Sequence, residues 1–216
     1  AAEGAMRAAY TNQGQICLCG SRILIQEDIY EPFKEALINK IQNLKVGDPE
    51  DENSDLSAVV SEDHMNKVLS YIELARKEGG TILQGGERLS LPGRCENGYF
   101  IKPTLIENLS YDARVNQEEI FGPVATLIPF KNEDDAIKIA NATQYGLAAS
   151  IWTNNSDQSR RVAEAIETGI VWINCWNLRD LQTPFGGVKK SGIGREGVWR
   201  AFEFFTDEKT ITQPMK

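Results

Sequence analysis

Histidine is nearly missing from this chain, with His64 alone among 216 residues. A cysteine hydrolase or acyl-transferase needs a histidine base held against its thiolate, and His64 falls in a surface helix pattern, which argues against that class. Zinc centres need about four ligands at short spacings. The four cysteines, Cys17, Cys19, Cys95 and Cys175, include no Cys-x-x-Cys pair and there is no second histidine, so no metal site is expected. No apolar run approaches the roughly 20 residues of a membrane span, and there is no internal repeat or low-complexity tract. Basic excess is also missing: 23 Lys and Arg stand against 31 Asp and Glu, a formal charge of −8. That excludes a broad nucleic-acid or anionic-membrane surface, which must be positive. Scattered cysteines and no secretory apolar core near Ala1 fit a reducing, cytoplasmic setting.

The chain is long enough for one large domain or two small ones, with a core that needs no disulfides. Ala1 to Tyr10 reads as helix from the first residue, which suggests a piece of a longer protein. Arg22 to Gln26 is a short buried strand. Tyr30 to Leu44 carries Phe33, Leu37, Ile38, Ile41 and Leu44 at helical spacing and stops at Gly47-Asp48-Pro49. Ser61 can cap the next helix, whose apolar stripe is Met65, Val68, Leu69, Ile72 and Ala75 and which closes on Arg76, Lys77 and Gly79. Strands follow at 81–83, around Pro103 and at 125–130, with a loop over 87–97. A helix at 134–142, a strand at 148–153, a helix capped by Ser156 and running through Thr168, and a strand from Gly169 to Cys175 follow. That last run is apolar enough to imply burial on both faces. Alternating strands and helices predict an α/β fold with a parallel sheet. Residues 207–213 alternate like a half-exposed strand, or else form a frayed tail.

Two segments carry chemistry. Cys17 sits in Asn12-Gln13-Gly14-Gln15-Ile16-Cys17-Leu18-Cys19-Gly20-Ser21-Arg22, and Glu118-Glu119-Ile120-Phe121-Gly122-Pro123-Val124 lies about a hundred residues on. Taken singly, Cys17 reads as an inert buried cysteine, Glu119 as a solvated loop carboxylate and Phe121 as core. Together, in this order and spacing, they resemble the catalytic half of the aldehyde dehydrogenases, and the resemblance runs over nearly the whole chain.

That resemblance implies a three-layer α/β domain around a mostly parallel sheet over residues 1–205, with 206–216 as a C-terminal oligomerisation strand. It implies that Cys17 attacks the aldehyde, Glu119 bonds the nicotinamide ribose and Phe121 packs by the nicotinamide ring. NAD is the implied cofactor, with NADP not excluded. A small aldehyde is the implied substrate and a homodimer or homotetramer the implied assembly. The route needs a thiolate, oxyanion donors, a hydride acceptor and a base for thioester hydrolysis. Cys17 supplies the first, and its backbone N–H can be one oxyanion donor. The family's asparagine donor, glutamate base and cofactor domain lie upstream of these residues, so the 216-residue chain alone is expected to be inactive.

Gly192-Ile193-Gly194-Arg195-Glu196-Gly197 matches G-x-G-x-x-G. A dinucleotide fingerprint must directly follow a strand and open a helix within a βαβ unit, whereas Pro184 to Ser191 reads as loop. The family places such segments beside the active site as shaping elements, with Phe185 lining the substrate tunnel. Trp176-Asn177-Leu178-Arg179-Asp180-Leu181 resembles the muconate-semialdehyde branch of the family, in which the arginine grips a substrate carboxylate through its bidentate fork. The alternative for Arg179 is a solvated arginine paired with Asp180.

Overall fold

Period-two burial organises the sheet and period-3.6 stripes cover it. The computed structural model describes residues 1–215. In chain order the elements are α1 (Ala2–Tyr10), β1 (Arg22–Gln26), α2 (Tyr30–Gln42), α3 (Glu62–Lys77), β2 (Thr81–Gln84), β3 (Arg88–Leu89), β4 (Phe100–Ile101), β5 (Thr104–Glu107) and α4 (Arg114–Gln117), followed by β6 (Val124–Phe130), α5 (Glu133–Asn141), β7 (Tyr145–Gly146), β8 (Ala148–Ile151), α6 (Ser156–Ala165), β9 (Ile170–Ile173), β10 (Val188–Lys189) and α7 (Val198–Phe205).

β6 is the spine, with its first five residues buried. It pairs in parallel with β1 on one side and β5 on the other, and β2 adds an antiparallel edge to β5. A second parallel pair joins β8 to β9. Alternation along β5 and β6 divides the core into two layers. Ile106 and Val124 pack with Met65, Val68 and Ile72 of α3. Leu105, Ala125 and Leu127 point to the other face, against Tyr10 of α1 and Leu37 and Ile41 of α2. The expected three-layer α/β arrangement around a mostly parallel sheet is therefore present. Burying each of these aliphatic side chains contributes on the order of 1.5–3 kcal/mol.

Side-chain caps fix helix entry at α3, α5 and α6, with Asn132 accepting from the Asp135 N–H at 3.0 Å at α5. Ser61 Oγ accepts from the His64 backbone N–H at 3.2 Å, as its position predicts. At α6 the cap is Asn155, whose side chain accepts from the Gln158 N–H at 3.1 Å, and Ser156 is the first helical residue. α6 ends at Ala165, short of the expected Thr168, because Ile166 is already extended. β9 departs from expectation too. Only Trp172 is buried and Ile173 is 42% exposed, since β9 pairs with β8 alone and stands at an edge. Residues 206–215 form no strand and are exposed, so the expected C-terminal strand is not made within one chain. Isolated from any neighbouring strand, an alternating segment has no ladder to join. Lys216 lies outside the described residues. The expected loop at 87–97 contains the short strand β3 and a 3₁₀ turn, the expected loop at 184–191 contains β10 because β7 lies alongside to pair with it, and α4, β7 and α7 arise where the sequence pattern carried no expectation.

Candidate active site

The loop that carries Cys17 begins where α1 ends. Tyr10, fully buried, donates its hydroxyl to the Thr104 carbonyl at 2.9 Å and ties α1 to β5. Burial pushes the Tyr10 phenol far up. Asn12, Gln13 and Gly14 then run left-handed, with φ of 53°, 56° and 69°. Such a conformation costs a non-glycine residue about 1–2 kcal/mol, so the turn persists only because its surroundings hold it. Gly14 carries the tightest constraint, since a Cβ there would lie 2.0 Å from the Gly122 carbonyl oxygen. Glycine in the Gly-Gln-x-Cys segment thus lets the Cys17 loop press its backbone against the loop bearing Glu119 and Phe121.

Beyond this turn Cys17 is exposed while its neighbour Leu18 is buried. The Cys17 backbone N–H has no acceptor among the described residues, which leaves it free to donate. Cys19 is half-buried, its Sγ 3.8 Å from the Thr11 carbonyl oxygen. Burial pushes the Cys19 thiol up to about 11, so it stays protonated and unreactive at neutral pH. The environment separates two cysteines that lie only two residues apart.

The second loop is fastened to one stripe of α3. Phe121 is left-handed at φ 59°, a genuine outlier for a bulky residue. His64 Nε2 lies 2.6 Å from the Phe121 carbonyl oxygen. A carbonyl can only accept, so this nitrogen carries the proton. Lys67 Nζ donates to the Glu119 carbonyl at 3.1 Å, and Tyr71 donates its hydroxyl to the Glu118 carboxylate at 2.7 Å. Arg114 grips the same carboxylate with two nitrogens at 2.9 and 3.0 Å. The Arg114 bonds first, then Tyr71, hold the Glu118 carboxyl below the usual carboxylate range. Neither His64 nor Lys67 stands out in the sequence as a site residue, because the apolar stripe of α3 dominates the pattern there. The signal that could have found them is the polar set 64, 67 and 71 at helical spacing on a neighbouring face.

The expected site residues fall in two places. Cys17 and Glu119 line one cavity of about 940 Å³, to which residues of β1 and β8 and both Trp152 and Trp176 also contribute. Phe121 adjoins it through its own loop. Arg179 and Phe185 line a second, smaller cavity of about 150 Å³ with Leu178 and Leu181. There the Arg179 guanidinium carbon lies 4.6 Å from the Phe185 ring centroid, within cation–π reach. Among the described residues Arg179 has no ion pair, with Asp180 or any other carboxylate. Trp172 lines both cavities. No group of three or more His, Cys, Asp or Glu side chains is arranged to hold a metal among the described residues, and none of the described helices is long and apolar enough to cross a membrane.

The glycine-rich stretch 192–197 is a loop between β10 and α7 rather than a strand-to-helix turn. Phe185 and Glu196 exchange backbone hydrogen bonds of 2.9 and 2.8 Å, and Arg195 Nη1 donates to the Gly187 carbonyl at 2.7 Å. The stretch folds back onto Pro184 to Gly187 and shapes the smaller cavity; α7 does open directly after Gly197, but without a strand directly before the glycines.

Residues 1–211 match the family model described as the aldehyde dehydrogenase family. The chain is 46% identical over 209 residues to a 2-aminomuconic semialdehyde dehydrogenase of Bos taurus, covering 96% of this chain and 43% of that protein. It is 46% identical over 205 residues to a 2-aminomuconic 6-semialdehyde dehydrogenase of a Pseudomonas species, covering 95% and 42%. Among solved structures, betaine aldehyde dehydrogenase of Staphylococcus aureus in complex with NAD+ superposes with a TM-score of 0.90 at 39% identity, covering 94% of this chain and 40% of that one. HpcC of Thermus thermophilus superposes at 0.93 with 37% identity, covering 100% and 43%. The chain spans less than half the length of these relatives. With the fold, the two motif loops and nearly the whole sequence in agreement, the chain belongs to the aldehyde dehydrogenase family.

Proposed function

We propose that this chain is the catalytic half of an NAD-dependent dehydrogenase that oxidises an aldehyde to a carboxylate through Cys17. The observation that carries the reading is the shared cavity of Cys17 and Glu119, with Gly14 letting the two loops meet backbone to backbone. The Cys17 thiolate forms a bond to the aldehyde carbon, and the carbonyl electron pair moves onto oxygen as a thiohemiacetal. The free Cys17 backbone N–H supplies one donor to that oxyanion. Bound NAD supplies the hydride acceptor. The Glu119 carboxylate fits two ribose hydroxyls, which an ionised carboxylate accepts well, and the Phe121 ring, 36% exposed on a clamped loop, fits the face of a nicotinamide. The structure of a relative with NAD+ supports NAD as the cofactor. NADP uses the same chemistry here.

In a full-length enzyme carrying this sequence, Cys17→Ser should abolish aldehyde oxidation while NAD binding survives, because serine is a far poorer nucleophile without a base. Retained turnover would sink the assignment. The 216-residue chain alone should make no NADH, since it holds neither the base nor the second oxyanion donor that the family reading requires.

For substrate, the relatives named for 2-aminomuconic semialdehyde support a semialdehyde bearing a carboxylate. Arg179, exposed and free of ion pairs among the described residues, is the group to receive it. Four free cysteines support a reducing, cytoplasmic location. Self-association is supported by α7, whose Trp199, Phe202, Phe204 and Phe205 are all exposed, an apolar surface of the kind that marks protein contacts. Light scattering should detect dimers or larger species, and a strictly monomeric particle across concentration would remove that part of the reading.

A further inference from the structure

We propose that His64 is a positioning residue: by donating its Nε2 proton to the Phe121 carbonyl it holds Phe121 left-handed and so sets where the Phe121 ring projects. The proposal rests on the reading of Phe121 as the residue that packs by the nicotinamide.

Phe121 has no core to hold it. Its ring is 36% exposed, and its φ of 59° is one that a bulky side chain does not adopt unaided. The restraint must come from the backbone on either side. Before it, Lys67 Nζ donates to the Glu119 carbonyl at 3.1 Å. After it, Gly122 is pressed so closely on α3 that a Cβ there would meet Val68 Cγ2 at 2.5 Å. At Phe121 itself the polar restraint is His64, at 2.6 Å. The His64 ring also meets the Phe121 ring edge-on, with centroids 6.3 Å apart and planes at 71°, so one side chain fixes both the peptide and the ring. Releasing the carbonyl would let the peptide turn toward ordinary φ, carrying the ring with it. Because the Gly122 carbonyl lies against Gly14, the disturbance would also reach the loop that holds Cys17.

The test is equilibrium NAD affinity in a full-length enzyme carrying this sequence, by fluorescence titration without substrate. His64→Leu should weaken NAD binding by about fivefold, the scale of one net hydrogen bond. His64→Gln should restore most of it, since the glutamine amide nitrogen reaches about as far as Nε2 and also donates. Should the leucine variant fail to fold, His64→Met is the donor-free substitute. The deciding measurement is the double variant. In a Phe121→Ala background there is no ring to position, so His64→Leu should weaken binding no further, a non-additivity expected only of residues acting as a unit. An equal further loss in that background would mean that His64 acts on the cofactor or the fold by itself and would overturn the proposal, as would unchanged affinity in His64→Leu. Unchanged affinity in Phe121→Ala would instead remove the role of Phe121, and the proposal with it, while leaving the assignment of Cys17 standing.

Discussion

Trp176 donates its indole N–H to the Leu18 carbonyl at 2.9 Å across 158 residues of sequence. Leu18 follows the proposed nucleophile, and Trp176 opens the segment that carries Arg179. The bond fastens the two ends of the candidate site together, although Arg179 and Cys17 line different cavities. Trp172, whose indole donates to the Leu178 carbonyl at 2.9 Å, braces the same segment from β9.

Arg179 gives the specificity prediction. In a full-length enzyme, Arg179→Ala should lower kcat/KM for a carboxylate-bearing semialdehyde and spare an uncharged aldehyde of similar size. Losing a charge-assisted hydrogen bond costs roughly 1.5–3 kcal/mol, about tenfold to 150-fold. Arg179→Lys should recover only part, because an ammonium lacks the fork and stacks less well on Phe185. Equal losses on both substrates would show that Arg179 serves only to shape its loop.

Gly14 gives a structural prediction. Gly14→Ala places a methyl 2.0 Å from the Gly122 carbonyl oxygen at a φ of 69°, so the two loops must separate. The variant should lose at least about 1–2 kcal/mol from the left-handed φ alone and most of its activity. Denaturant midpoints and NADH production read the two losses. A fully active Gly14→Ala enzyme would contradict the close approach.

Cys19 gives the pH prediction. Its thiol rises from 9.0 to about 11 through burial, and the charge of Cys17 adds in the same direction. The native state therefore holds the Cys19 proton over that window while the unfolded chain has lost it. Stability from this group is fully present below pH 9, declines as pH rises and is lost above about 11. Tyr10, raised by its burial, moves the same way. Mapping iodoacetamide adducts at about pH 8 should find exposed Cys17 modified well before half-buried Cys19, whose thiol burial holds protonated. The reverse order would refute the assignment of the reactive thiol.

The order of the longer elements from α1 to β9, the helical stripes and the family were legible in the residues alone. They follow from local spacing: Met65, Val68 and Ile72 at helical period, Tyr30 to Leu44 as an amphipathic helix, and two motif loops whose order and separation are specific. Neighbour relations required the folded chain. That β9 is an edge strand with Ile173 exposed, that 206–215 finds no strand to pair with, and that Asn155 rather than Ser156 caps α6 depend on what lies alongside, which no local pattern encodes. The same holds within the site. Cys17 and Cys19 look alike two residues apart, and packing leaves one exposed and makes the other a weak acid. His64 looks like an ordinary polar residue on a surface helix. Its place at the Phe121 carbonyl exists only because packing brings α3 against a loop 57 residues further along the chain.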